Sequence, residues 1–147
     1  MKKSELQQRV SESGERLLGV LDGLTEDEAS RVGLTEKWSI KDALSHISAW
    51  ELEGARIVSE IQAGTWQPSR PSKEQIDDFN ARAALERKGR SLAELQAEFS
   101  DAHARMEAVV AALPDEVDES APAYKYIEAV TIKHLPHHAE QIEKFRG

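Results

Sequence analysis

The sequence predicts an all-α fold, a four-helix bundle with a long crossover carrying a minor helix between its second and third helices. Three observations carry this reading. Apolar residues recur in steps of three and four through four long segments, β-branched alternation is nowhere sustained, and one connection of about 25 residues is far longer than the rest. Steps of three and four trace one face of a helix, whereas a strand would alternate.

The first helix is marked by Leu6, Val10, Leu17, Leu21 and Leu24, and Gly23 stops it. Thr25 with Glu28 three residues on suggests a short extra turn. Ser39 with Asp42 opens the second helix, whose stripe runs through Ile40, Ala43, Leu44, Ile47, Trp50, Val58 and Ile61 to a stop at Gly64. The stretch from Gly64 to Pro71 holds two prolines and cannot continue a helix. Ser72 with Gln75 opens a minor helix from about Lys73 to Arg87. Ser91 with Glu94 opens the third helix, with Leu92, Leu95, Phe99, Ala102, Met106, Val109 and Leu113 on its stripe and Pro114 as its stop. Pro122 fits the first turn of the fourth, marked by Ile127, Val130, Thr131, His134, His138, Gln141, Ile142 and Phe145. Pro136 falls inside this last segment and is expected to kink or break it between His134 and His138.

At 147 residues the chain reads as a single domain, 1–147, long enough to bury a core. Lys plus Arg number 19 against 27 Asp plus Glu, a formal net charge of −8, which argues against nucleic acid and anionic membranes as partners. With no cysteine there is no disulfide, thiolate ligand or thiol nucleophile, so any metal must use histidine, carboxylate or water. The N-terminus turns polar at once and no segment reaches transmembrane length, so a cytoplasmic location is expected. Phosphate loops, nucleophile elbows and His-Glu-x-x-His motifs are absent.

The histidines hold the chemistry. His134 and His138 lie four apart on the apolar stripe of the fourth helix, and His46 lies beside the stripe of the second. Three such side chains from facing helices would form a three-nitrogen metal cradle with a coordination position left open. Three separately hydrogen-bonded, part-buried histidines are the plainer reading, and spacing leaves both standing. An imidazole buried without partners costs about 1–3 kcal/mol, which a shared metal would offset for the His134 and His138 pair. His137 points about 100° away from His138 and reads as a non-ligand. His103, next to Ala102, reads as a surface or flank residue. Glu51 is the carboxylate expected to support a metal-bound imidazole through its second nitrogen. Trp38, Trp50 and Trp66 read first as packing residues, with Trp50 one turn after His46 and placed to wall a pocket.

These residues carry a resemblance. Trp38-Ser39-Ile40-Lys41-Asp42 leading to His46 and Trp50-Glu51 resembles the second helix of the DinB-like superfamily, and His134 followed by His138 and Gln141 resembles its fourth. Ile76-Asp77-Asp78-Phe79-Asn80 is similar to the segment between that family's second and third helices, so the likeness spans nearly the whole chain. It implies up-down-down-up topology, a metal site of His46, His134 and His138 holding zinc, nickel or iron, and a homodimer. It further implies a metal-dependent enzyme, a thiol-dependent transferase or related hydrolase acting on a small molecule, with a low-molecular-weight thiol as co-substrate. The alternative is a non-catalytic small-molecule or metal-binding protein of stress protection. No catalytic residue is marked. Substrate specificity is expected in the crossover and minor helix, with Trp50, Trp66 and Asn80 as the substrate-binding candidates. Because bound metal competes with protons for imidazole, metal-loaded protein is expected to lose stability towards about pH 5 and metal-stripped protein much less.

Overall fold

The computed structural model describes residues 1–147 and is helical throughout, with one isolated backbone bridge between Lys2 and Glu116. The elements are α1 Lys3–Val20, α2 Glu26–Ser30, α3 Ile40–Ala63, α4 Lys73–Glu86, α5 Leu92–Ala111, α6 Pro122–Ile127, a π-helical turn Glu128–Ile132, and α7 His134–Arg146. The capping boxes expected at Thr25–Glu28, Ser39–Asp42, Ser72–Gln75 and Ser91–Glu94 all form, each satisfying backbone N–H groups that a helix start leaves unpaired. Gly64 ends α3 in the left-handed conformation, φ 76°, a region that favours glycine.

The packing fixes the chain direction of each helix. One apolar cluster holds Leu6 and Val10 from α1, Val58 from α3, Met106 and Val110 from α5, and Ile127 and Val130. The other holds Leu17, Leu21, Ile40, Leu44, Ile47, Leu95, Phe99, Leu135 and Ile142. The first cluster thus takes the early half of α1, the late halves of α3 and α5, and the early half of the last segment. Up-down-down-up topology follows, with α3 and α5 parallel. Two parallel neighbours cannot be joined by a tight turn, and the coil from 64 to 72 together with α4 makes the return.

The fourth long segment differs from a single kinked helix. It is α6 and α7 joined by the π turn, in which the Lys133 N–H donates to the Glu128 carbonyl at 2.9 Å, five residues back. Pro136 then stands in the first turn of α7, where its missing N–H leaves no helical bond unmade. The break therefore precedes both histidines, and their four-residue relation survives within α7.

Close approach of the helices is set by small residues. A Cβ on Gly54 would lie 2.5 Å from Val130 Cγ2, so α3 meets the π turn where α3 has no side chain. Gly54→Ala is expected to cost about 1–3 kcal/mol by overpacking. Gly19→Ala, with nothing within 4 Å of the new methyl, is expected to stabilise by up to about 1 kcal/mol. Urea unfolding midpoints of the two variants, moving in opposite directions, check the pair.

Candidate metal centre

α3 carries His46 and α7 carries His134 and His138, and the bundle brings all three together. His46 Nε2 lies 2.9 Å from His134 Nε2, and His138 Nε2 lies 3.0 Å from the same atom. His138 is buried, while His46 and His134 are part-buried. The ring of Trp38 covers one side, 4.9 Å from His46 and 6.4 Å from His138 between centroids. His137 is exposed, as its angular offset predicts.

The second ring nitrogens decide what faces inward. Asn80 Oδ1 is 2.8 Å from Trp50 Nε1 and 3.2 Å from His46 Nδ1. His138 Nδ1 is 2.8 Å from Gln141 Oε1. With the Nδ1 protons committed to these oxygens, both Nε2 atoms present lone pairs to His134. His134 Nε2 carries at most one proton and cannot satisfy both. Its own Nδ1 is buried without a well-formed hydrogen bond, Val130 supplying the only backbone carbonyl that bears on it.

Three converging imidazole nitrogens, all within 4.8 Å of one another, with an orphaned atom behind one of them, fit a divalent cation. Nitrogens bound tetrahedrally at about 2.0–2.1 Å stand roughly 3.3 Å apart, so the two short pairs, at 2.9 and 3.0 Å, would open by a few tenths of an ångström around an ion. Burial, reinforced by the charge His138 would carry, lowers His46 to about 4. Burial followed by the repulsion of His138 and His46 lowers His134 to about 3, and burial also lowers His138. Neutral imidazole is the form that binds a metal.

Other sequence expectations fall differently. Glu51 does not support a metal-site histidine. It is fully buried, accepts from Thr131 Oγ1 at 2.8 Å and pairs with His103 Nδ1 at 3.3 Å. Five residues on an α-helix is about 140° of rotation, so Glu51 faces away from His46. His103 is not a surface residue: it is buried, its Nε2 donates to the Val10 carbonyl at 2.9 Å, and a Cβ on Gly14 would lie 2.5 Å from that nitrogen. Its position, four after Phe99 and three before Met106, was the missed signal. Burial opposes a charge on His103, but the Glu51 carboxylate outweighs it and raises its pKa.

Of the substrate-binding candidates, Asn80 stands directly behind His46. Trp50 links Asn80 to a cleft of about 350 Å³ whose walls include Trp50, Trp66, Phe79 and Tyr126. Trp66 meets Tyr126 edge-on at 6.0 Å between centroids, in a cleft that none of the three histidines lines.

Comparison with known proteins agrees with this architecture. The DinB superfamily model matches residues 9–142. Among solved structures the chain is similar to DfsB, described as a sibling lethal factor precursor, with a TM-score of 0.83 at 15% identity over 99% of this chain and 95% of that one. A protein from Streptococcus pneumoniae gives 0.81 at 16% identity, covering 99% and 91%. The colibactin self-resistance protein ClbS, solved in complex with dsDNA, gives 0.81 at 13%, covering 99% and 95%. At such identities the likeness is one of fold. No curated protein sequence matches the chain.

Metal-free protein is itself expected to be acid-sensitive, a correction to the smaller loss foreseen from sequence. His46 and His134 have folded pKa values below the unfolded value of about 6.5, so their contribution is present above 6.5 and lost as pH falls towards about 4 and about 3. His103 has the opposite sign: raised in the fold, its contribution is present below about 6.5 and lost as pH rises through the raised value. Melting temperature in chelator should peak near about pH 6.5. His103→Gln should remove the alkaline fall. A flat acid limb would contradict the burial of the three imidazoles.

Proposed function

The chain belongs to the DinB superfamily, and from that premise we propose that His46, His134 and His138 hold a divalent metal, zinc, nickel or iron, at which a small-molecule substrate is transferred to a thiol or hydrolysed. The observation that carries this reading is the convergence of three Nε2 atoms, with those of His46 and His138 at 2.9 and 3.0 Å from that of His134. A metal held there supplies Lewis acidity, lowering the pKa of bound water to about 7 or deprotonating a bound thiol. The chain's own residues prepare for that role. Three neutral ligands leave the cation's charge uncompensated. The grouping includes no carboxylate, and the buried Glu51 is committed to His103 and Thr131. A ligand grouping without a carboxylate favours a nucleophile activated by the metal itself, with a low-molecular-weight thiol as the co-substrate.

The proposed substrate site is the cleft between α3 and the crossover, with Trp50 and Trp66 as aromatic walls and the Trp50 indole N–H joined to the Asn80 oxygen behind His46. Its volume, about 350 Å³, suits a small molecule. The reading from another class is non-catalytic protection, in which the same pocket sequesters a reactive molecule or a metal; a self-resistance protein among the fold neighbours favours it. That neighbour's complex with dsDNA also weighs against excluding nucleic acid on net charge alone, so DNA is retained as a partner to test. A homodimer rests on family membership. No helix is long and apolar enough to cross a membrane.

Elemental analysis of untagged protein should find about one metal per chain. His46→Ala, His134→Ala and His138→Ala should each abolish it, while His137→Ala, at an exposed position, leaves it bound. Metal lost equally from the His137 variant would identify a different ligand set. Substrate turnover dependent on added thiol and on metal separates the enzyme from the protective binder, and a DNA titration tests the nucleic-acid partner.

A further inference from the structure

We propose that Trp50 and Asn80 form a positioning pair that fixes the proton of His46 on Nδ1 and so presents a bare Nε2 to the other two histidines. An asparagine alone cannot do this. Its amide oxygen and nitrogen are nearly the same size, and a flip would exchange an acceptor for a donor at the same place. An indole N–H is different, because it donates and never accepts. Trp50 Nε1 stands 2.8 Å from Asn80, so the atom it meets must be the oxygen. That oxygen is 3.2 Å from His46 Nδ1, which must then carry hydrogen. A neutral histidine side chain left to itself favours the proton on Nε2, the form that cannot bind a cation through that atom. The pair reverses this preference.

Several features hold the pair in place. Trp50 is on α3 one turn beyond His46, and Asn80 comes from α4 across the crossover. The neighbour of Asn80, Phe79, packs on the Trp50 ring at 4.4 Å between centroids. The arrangement gives the crossover helix a task in the site although it contributes no ligand. His138 lacks the same device: its partner, Gln141, is on its own helix, and no donor-only group fixes that amide.

The affinity arm of the test rests on the proposed metal site, while the tautomer arm does not. The full untagged chain and the variants Trp50→Phe, Asn80→Leu, Asn80→Asp and Trp50→Phe/Asn80→Asp are compared. One readout is the ring ¹⁵N shifts of His46 in metal-free protein above its titration range. The other is zinc affinity by competition with a chromophoric chelator. Wild type should show the proton on Nδ1. Trp50→Phe should show mixed tautomers and bind zinc about 10-fold more weakly, and Asn80→Leu about 10–100-fold more weakly. A carboxylate accepts whichever way it turns, so the double variant should recover both the Nδ1 proton and near wild-type affinity. A merely structural role for Trp50 would give no such rescue. A wild-type proton on Nε2, or a double variant as weak as Trp50→Phe, overturns the proposal. The expected tautomers with no zinc bound to any form would leave the pair standing and remove the metal site instead.

Discussion

A carboxylate without solvent exposure lies at the middle of the bundle, and keeping it paired constrains every long helix. Burying the Glu51 charge is costly unless it is both paired and hydrogen-bonded. One oxygen is met by Thr131 of the π turn and the other by His103 of α5. The far nitrogen of His103 reaches the Val10 carbonyl of α1, and Gly14 supplies the space for its ring. The Val10 carbonyl only accepts, so His103 Nε2 donates to it, and the raised pKa of His103 favours the cation that also donates to Glu51 from Nδ1. One ion pair therefore touches all four long segments. It also separates the two apolar clusters, since Gly14, Glu51, His103 and Thr131 are the residues between them along each helix.

The candidate metal site depends on this layer through the register of the last segment. Thr131 reaches Glu51 from within the π turn, whose extra residue rotates everything after it. The rotation also places Pro136 in a first helical turn. His134 and His138, immediately beyond, are thereby aimed at His46. A regular α-helix through residues 128 to 134 would give α7 a different face. The buried ion pair and the three-histidine site are consequently two results of one local distortion.

That distortion explains what was and was not legible in the sequence. The long helices, the capping boxes and the crossover follow from local patterns: apolar spacing, Ser or Thr three residues before an acid or amide, and prolines where a helix cannot run. The grouping of His46, His134 and His138 was legible because two of them share a helix face and the third lies beside the stripe of another helix. The π turn was not, because its five-residue bond has no local signature. Pro136 in the bare sequence therefore points to a kink between the histidines. His103 adjoins Ala102, which obscures its place between Phe99 and Met106 on the apolar face. Asn80 is 34 residues from His46, and only the fold brings it behind the ring.

The bundle thus contains two buried polar groupings, and their difference indicates where a ligand belongs. In the first, each Glu51 oxygen and each His103 nitrogen has a partner, so nothing remains for a bound molecule to satisfy. In the second, two lone pairs face one nitrogen that has at most one proton to share, and His134 Nδ1 is left without a well-formed bond. An unsatisfied buried polar atom costs about 1–3 kcal/mol. Sequences that otherwise agree at every level from capping to core tend to break their own rules at functional sites. Here the same chain closes one network completely and leaves the other open around a point that three nitrogens face. A cation at that point would take up all three lone pairs at once and free His134 to direct its remaining proton towards the Val130 carbonyl.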